Sequence, residues 1–370
     1  MSNINPLYLT IFLFVKAAIV MGALLGMASM CIWIERKASA LIQNRIGANR
    51  AAFFGFYFAG VVNTLVCDPV KALFKEDWIP KGVSGFMHAC GPFLALVPVI
   101  VSFAVIPFGP QFRIGDTTIN LQLIDLDVGV LYVFAFGSLS VYGVVIAGWV
   151  SDNKFSLLGG LRASAQMISY EVIMGISILG LLVNYGTLSL NEIVLKQSGT
   201  YLGFLPNWGI FQLPPFNLIA FFIFFIAMMA ETKRAPFDLP ESESEIVAGY
   251  LTEYSGMKFL LFWLGEFAEI AVASSVITVL FLGGWQVPYF DISQPIEILG
   301  IPFIGSLIGV ACFFVKVSML CALQIVIRWT LPRFRYDQLM DLCWKLLLPI
   351  SIVNLVLTSF FVLYIEGMSK

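Results

Sequence analysis

Long apolar runs are the feature that most constrains how this chain can fold. An α-helix needs about 20 mostly apolar residues to cross the hydrocarbon core of a bilayer, and eight windows of the sequence meet that need. They lie at about 8–33, 86–108, 129–150, 166–185, 215–230, 257–283, 301–327 and 345–365. The runs are continuous rather than alternating, which favours helices over the strands of a membrane barrel. The sequence therefore predicts an all-α, polytopic membrane bundle of about eight helices.

Composition agrees with a membrane protein, because 59% of the residues are hydrophobic and only 12% are charged, against about 25% charged in soluble domains. The first apolar run, 6–34, is too long for a signal peptide and ends in Glu35, Arg36 and Lys37 instead of small cleavable residues. We interpret it as a retained span. The sequence contains neither an internal repeat nor a hydrophilic stretch long enough to fold alone, so residues 1–370 are predicted to form one membrane domain.

The basic residues give the bundle an orientation. Of the 21 lysines and arginines, 16 follow the first, third, fifth and seventh windows, and such residues accumulate on the cytoplasmic side of membrane proteins. The cytoplasmic loops are therefore predicted at about 35–85, 151–165, 231–256 and 328–344, with both termini outward. Two lysines, Lys16 and Lys316, fall inside spans.

Several kinds of redox site are excluded by what the sequence lacks. His88 is the only histidine, so this chain alone cannot build a bis-imidazole haem site or a histidine-ligated metal centre. The six cysteines form no CxxC pair, and the chain has no phosphate-binding GxxxxGK[ST] motif and no strand-borne GxGxxG motif. We expect no metal site, and any redox cofactor must come from a partner.

Carboxylates concentrate in and between the apolar windows, and they are the main candidates for chemistry. They are Glu171, Glu231, Glu241, Glu243, Glu245, Glu253, Glu266 and Glu269. Carboxylates in a bundle are costly to keep ionised unless paired or hydrated, and they usually mark an ion or proton path. Two alternatives remain open. The ESESE run could be a solvated acidic loop, and Glu171 and Glu266 could be paired with Lys or Arg for structure only, with Lys16 and Lys316 as possible partners or as relay members themselves.

The segment PFDLPE, at 236–241, brackets three residues between two prolines. Proline prevents a continuous helix, and irregular backbone at membrane depth usually lines a cavity. Arg234 and Asp238, beside this break, would place charge next to an amphipathic ligand. The alternative is a plain loop.

Six segments of the sequence carry a resemblance to a known family. They are ERK at 35–37, QNRIGANR at 43–50, DPVKALFKEDWIP at 68–80, SLLGGLRASAQMISYE at 156–171, AETKRAPFDLPESESEIVAGY at 230–250 and TLPRFRYDQLMDLCWK at 330–345. The chain resembles, nearly end to end, the H-type membrane subunits of bacterial NADH:quinone oxidoreductase, respiratory complex I. It departs from that family's pattern at Ala48, at Lys233 and in a longer stretch at 51–62.

The resemblance implies a membrane-arm subunit whose cytoplasmic loops pack on peripheral-arm subunits and enclose a quinone chamber. Quinone would be the substrate, FMN and iron-sulfur clusters would sit on partner subunits, and the location would be a bacterial inner membrane. The residues that match the family's chamber charges are Glu35, Arg36, Arg45, Asp68, Arg234 and Asp238. Those that match its acidic path for proton coupling are Glu171, Glu231, Glu241, Glu243, Glu245, Glu253 and Glu266.

Other interpretations stay open at this point. The chain could be the membrane anchor of an energy-converting hydrogenase or a secondary ion transporter, although only one proline-broken segment is visible. Arg328, Arg333 and Arg335 suit docking to a partner subunit or to lipid phosphates, or they only set the orientation. Aromatic residues such as Trp33 and Phe54 could line an isoprenoid tunnel or simply pack.

Overall fold

The chain folds into a bundle of helices with two short hairpins in the connections. The computed structural model describes residues 6–49, 55, 60–114, 117–201, 203, 205–240, 242–290 and 303–368. The helices are α1 Pro6–Ile42, α2 Asp68–Phe74, α3 Gly85–Phe103, α4 Gly129–Val150, α5 Lys154–Tyr185, α6 Leu190–Lys196, α7 Phe216–Glu231, α8 Glu243–Ile246, α9 Gly256–Phe281, α10 Phe303–Thr330, α11 Tyr336–Asp341 and α12 Leu348–Met368. Antiparallel strands pair as β1 Gly109–Ile114 with β2 Thr117–Leu121, and as β3 Thr200–Tyr201 with β4 Leu205–Pro206.

Seven helices in the described part of the chain are long and apolar enough to cross a membrane. They are α1, α3, α4, α5, α9, α10 and the continuous helix Tyr336–Ile365, in which a π-helical turn, Leu342–Leu347, joins α11 to α12. At the fifth predicted window stands α7, which has only 16 residues. The prediction of a polytopic helical bundle is confirmed, with seven long helices and one short one in place of eight similar spans.

Helix α9 is the centre of the bundle. Its most apolar window is 89% buried, against 17% for α1, and it packs on α1, α3, α7 and α10. A second group forms around α5, which contacts α4, α7 and α12. The outer faces of α1 and α12 expose large apolar side chains, including Phe14 and Leu363, as expected of surfaces that meet lipid or another membrane helix.

Small residues allow close helix packing between α3, α4 and α5. A Cβ added at Gly143 would come within 2.5 Å of the backbone nitrogen of Ala95, and one at Gly148 would come within 3.1 Å of the Cα of Gly160. Membrane helices use such small residues to bring their backbones together. The close contacts fix the position of α4 relative to α3 and α5.

A break in the helical pattern follows α7, where the sequence predicted one. Helix α7 ends at Glu231, and residues 232–240 then form no regular helix. Pro236 and Pro240 cannot donate a backbone hydrogen bond, and Lys233 has a φ of 55°. After α8 comes a short 3-10 turn, Gly249–Leu251, before α9 begins. We call residues 232–240 the break segment.

The opposite end of the bundle contains both hairpins and the last turn of α9. There the ammonium group of Lys316 donates to the backbone oxygens of Leu282 (2.7 Å), Gly284 (3.0 Å) and Gln286 (2.7 Å). Lys316 therefore satisfies carbonyls that a helix end leaves without partners. This arrangement corrects the expectation that Lys316 pairs with a carboxylate in the bundle. Lys16, half-buried on α1, forms none of the ion pairs found among the described residues.

Candidate functional site

The break segment is buried, although it carries several charged side chains. Residues 232–240 are all buried, and Lys233, Arg234 and Asp238 are only 4%, 5% and 3% exposed. A charge out of water is costly unless it is paired and hydrogen-bonded. The PFDLPE segment is therefore not a plain solvated loop, and each of its charges needs an identified partner.

Two adjacent cations of the break segment reach two carboxylates of α9. The Nζ of Lys233 lies 3.2 Å from an oxygen of Glu269, and a guanidinium nitrogen of Arg234 lies 2.8 Å from an oxygen of Glu266. The two glutamates are three residues apart and so share one face of the helix. The positive φ of Lys233, uncommon for a residue with a side chain, turns the chain at this point. The break segment is thus attached to α9 by two ion pairs side by side.

Arg234 also belongs to a wider network that joins five parts of the chain. Its guanidinium group lies 4.0 Å from Glu35 on α1 and 4.3 Å from the centre of the Phe267 ring. Glu35 also pairs with Arg328 on α10. The hydroxyl of Tyr250 donates to Glu266 at 2.7 Å. We call Glu35, Arg234, Tyr250, Glu266 and Arg328 the Arg234 network.

Three carboxylates from three helices face one narrow cavity below this network. Glu171 on α5, Glu231 at the end of α7 and Glu269 on α9 line it, together with Ser138 and Ser140 of α4. Carboxylates that line one cavity repel one another when ionised, so their protonation states depend on each other. The structure therefore brings these residues together in an arrangement suited to holding and passing protons.

Thr232 connects this carboxylate cavity to the Arg234 network. It lines the carboxylate cavity and also a smaller cavity bounded by Glu35, Arg234 and Arg328. Its hydroxyl donates to the backbone oxygen of Met229. Thr232 therefore borders both cavities.

Two charged residues of the break segment, Lys233 and Asp238, have pKa values that their surroundings raise. Burial alone would lower the pKa of Lys233, but Glu269, Glu266 and Glu231 outweigh it and raise the pKa above its ordinary value. Lys233 is therefore a permanent positive charge. Burial raises the pKa of Asp238 to about 6, even though Arg333 opposes the rise. Asp238 can therefore change its charge near physiological pH.

The two most specific motifs of the sequence are in contact. The backbone nitrogen of Phe334 donates to the oxygen of Pro236 at 3.1 Å, and the rings of Phe334 and Phe237 stack at 5.5 Å. Arg333 donates to Asp238 at 2.9 Å. LPRFRYDQLM thus packs against PFDLPE.

This contact changes the interpretation of the three arginines that were predicted to dock a partner. Two of them have partners within the chain, since Arg328 pairs with Glu35 and Arg333 with Asp238. Arg335 is 75% exposed and pairs only with its neighbour Asp337 in the described part of the chain. Docking of a partner remains a prediction for Arg335.

The remaining chamber candidates lie on α1 and just after it. Arg36 pairs with Asp68 at 2.6 Å and lies over the ring of Trp263 at 5.4 Å. Arg45 and Trp33 line an open groove. A tunnel role for Trp33 remains a prediction, and Phe54 lies outside the described residues.

The predicted acidic path divides into a buried part and a surface part. Glu171, Glu231 and Glu266 belong to the buried part described above. Glu245 is exposed and pairs with Arg162 at 2.6 Å, and Glu253 accepts a hydrogen bond from Asn153 at 2.8 Å beside a separate open groove. Of the other ESESE residues, Glu241 lies outside the described residues, and Glu243 begins α8 with a side chain that is not described.

Some residues of the candidate site were missed, or only partly recognised, from the sequence. Glu269 was a candidate by its position in the window, but it was not among the residues that the resemblance selects. Tyr250 and Arg328 were not considered as partners of Glu266 and Glu35. The i, i+3 spacing of Glu266 and Glu269 was the one signal available, because the other contacts join distant parts of the chain.

The lone histidine and the cysteines lie apart from these two cavities. His88 contacts the Nζ of Lys258 at 3.2 Å and stacks on Tyr254 at 4.1 Å. No group of three histidine, cysteine or acidic residues in the described ranges could hold a metal ion. All six cysteines are free, and each lies in the part of the chain that the structure describes. The candidate site is therefore built from charges and hydroxyls.

Comparison with known proteins gives a consistent result over nearly the whole chain. A family model described as NADH dehydrogenase matches residues 15–359. A relative from Cytophaga hutchinsonii, named as an H-type subunit of NADH-quinone oxidoreductase, is 43% identical over 336 residues, covering 90% of this chain and 92% of the relative. An H-type subunit of the same enzyme from Koribacter versatilis is 41% identical, covering 94% of this chain and 96% of the relative. Another, from Syntrophotalea carbinolica, is 40% identical, covering 96% and 98%.

Proposed function

Because this chain belongs to the NADH dehydrogenase family, we propose that it forms part of the quinone chamber of a proton-pumping NADH:quinone oxidoreductase and couples quinone reduction to proton translocation. The observation that carries the proposal is the connection between the Arg234 network and the carboxylate cavity. Three carboxylates face that cavity, and Thr232 lines both it and the smaller cavity bounded by Glu35, Arg234 and Arg328. A charge change on one side is therefore within reach of titratable groups on the other.

The charges beside the open groove suit the mouth of a chamber for an amphipathic substrate. Arg36 and Asp68 form a partly exposed pair, while Arg45 and Trp33 line the groove itself. Polar groups of this kind orient a quinone headgroup, and the aromatic and aliphatic side chains contact its isoprenoid tail. The peripheral-arm subunits would complete the chamber and bring FMN and the iron-sulfur clusters. The electrons thus come from outside this chain, and the location is the bacterial inner membrane.

The coupling follows from elementary electrostatics. A quinone that accepts two electrons also takes up two protons, so its reduction changes the charge next to the chamber. Two unit charges 4 Å apart interact by about 4 kcal/mol at an effective dielectric constant of 20. A charge change of that kind near Glu35 and Arg234 is enough to shift the shared protonation of Glu266 and the carboxylate cavity. The family assignment favours this function over a hydrogenase anchor or an ion transporter.

The test is a substitution in the carboxylate cavity that preserves shape. In Glu231→Gln, we expect both NADH-driven quinone reduction and proton pumping to fall by about tenfold or more per assembled complex, because the coupled group loses a titratable member. Quinone reduction is measured spectroscopically in membranes, pumping with a pH-sensitive dye in sealed vesicles, and assembly on a native gel.

The matched control is Glu192→Gln. Glu192 is exposed and accepts a hydrogen bond from Thr187 at the opposite end of the bundle, so turnover and pumping should equal those of the wild type. Normal pumping in fully assembled Glu231→Gln would overturn the proposed coupling path.

A further inference from the structure

One buried side chain, Gln166 on α5, binds the backbone at two points: in the last turn of α7 and within the break segment. Its amide nitrogen donates to the backbone oxygen of Ala230 at 2.7 Å and to that of Phe237 at 2.8 Å. Gln166 is 0% exposed. Between its two acceptors lie residues 231–236, which include Glu231, Lys233 and Arg234.

The chemistry of the contact leaves a single orientation for the amide group. Both partners are carbonyl oxygens, which only accept, so the NH₂ group must face them and each of its two hydrogens makes one bond. A flipped amide would set its own oxygen against two others. No other polar residue type of the same length offers two hydrogens from one uncharged atom, which makes glutamine specific at this position.

The rest of the break segment gives a reason for such an anchor. The segment has no helical ladder to hold its backbone, and Lys233 adopts a φ of 55°. Its two cations must nevertheless reach Glu269 and Glu266 at 3.2 Å and 2.8 Å. Charge pairs in a buried site depend steeply on distance. A shift of the segment by about 1 Å would therefore weaken both pairs and alter the carboxylate cavity.

We propose that Gln166 is a positioning residue for coupling: by binding the backbone at 230 and 237, it fixes Arg234 and Lys233 against α9. This inference rests on the proposed function, because it assigns Gln166 a role only through the charges of that site. Gln166 itself has an amide that does not titrate, so it acts through the residues that it positions.

Two variants of similar size test the proposal in assembled complexes. Gln166→Met keeps the volume but has no donor, so we expect quinone reduction per complex to fall by about tenfold, as two buried hydrogen bonds are lost. Gln166→Glu has one donor when protonated and none when ionised. Its activity relative to the wild type should therefore recover as the pH falls from about 8 to 6, while the Gln166→Met ratio stays constant.

A second glutamine offers a matched control for the loss of buried hydrogen bonds in general. Gln197, 1% exposed, donates to the backbone oxygen of Val279 at 2.8 Å near the opposite end of the bundle. Gln197→Met should lower the amount of assembled complex but leave the rate per complex and its pH profile unchanged. This result would distinguish a positioning role of Gln166 from a general loss of folding stability.

Arg234→Met, measured in the same series, separates the two hypotheses. If it lowers turnover while Gln166→Met and Gln166→Glu match the wild type, the positioning role is overturned and the proposed function survives. If all three variants match the wild type, the proposed function is overturned as well. A loss in both Gln166 variants without the pH-dependent recovery would assign Gln166 to packing and also overturn the inference. If Gln166→Met does not assemble, the pH response of Gln166→Glu alone decides.

Discussion

Replacing Arg234 by methionine should be the most damaging single change in this site. Arg234 is 5% exposed, pairs with Glu266 at 2.8 Å and lies 4.0 Å from Glu35. Methionine fills much of the same space but removes the cation. Glu266, 4% exposed, then keeps the hydrogen bond from Tyr250 but loses its ion-pair partner.

The magnitude can be worked out from this geometry. Removal of one partner from a buried ion pair costs about 3–5 kcal/mol, because the remaining charge cannot recover its hydration. Glu35 loses less, since Arg328 still pairs with it. If one-third to one-half of that cost is felt in the rate-limiting step, turnover falls by about five- to seventyfold.

The assay is NADH-driven quinone reduction in membranes, normalised to assembled complex on a native gel. A double-mutant cycle with Glu266→Gln isolates the pair. We expect the double variant to be no slower than the worse of the two single variants, because the second substitution removes the uncompensated carboxylate. Lys345→Met is the control, since Lys345 forms an exposed pair with Asp341 of the kind that contributes little.

Two results would refute this reasoning. Wild-type turnover in assembled Arg234→Met would show that the cation has no part in coupling. Losses that simply multiply in the double variant would show that Arg234 and Glu266 act independently, in spite of their 2.8 Å contact.

Two further predictions concern the break segment and its support. Burial raises the pKa of Asp238 to about 6 from an ordinary 3.8, so its stabilisation of the folded state is complete below about pH 4 and is lost as the pH rises through about 6. The melting temperature of an Asp238→Asn complex should therefore exceed that of the wild type at pH 8 and converge with it near pH 4; an equal difference at every pH would contradict the shift. Gly249 has a φ of +54° and a Cβ there would lie 1.7 Å from the backbone oxygen of Pro240, so Gly249→Ala should abolish assembly on a native gel, and a normal yield would contradict this packing.

The helices were predictable because the membrane imposes a simple rule on the sequence. A span must be apolar over about 20 residues, and α3, α4, α9 and α10 fall close to the predicted windows. The start of α5 was missed, since Lys154 and Arg162 lower the hydropathy of its first turns. The short α7 and the break after it follow from Pro236 and Pro240, which the sequence displays directly.

The contacts of the site were less predictable, because they depend on which faces of distant helices meet. Glu35 and Arg328 are 293 residues apart, and nothing in either local sequence identifies the other as its partner. Glu245 and Glu253 were assigned to the acidic path from the sequence, although neither lines the carboxylate cavity. Both lie within one acidic stretch with Glu231, but Glu245 is exposed and pairs with Arg162, and Glu253 lies beside an open groove. Acidic composition alone does not distinguish a buried carboxylate from a solvated one.

The break after α7 also explains why charge is concentrated between two apolar helices. In a continuous helix, adjacent side chains point about 100° apart, so Lys233 and Arg234 could not both face α9. The left-handed φ at Lys233 removes that restriction, at a cost of about 1–2 kcal/mol. Two buried ion pairs offset this cost, and Glu266 and Glu269 are spaced by one helical turn to receive them. The left-handed backbone at Lys233, the two cations and the two carboxylates therefore act together. They place positive charge between the Arg234 network and the carboxylate cavity.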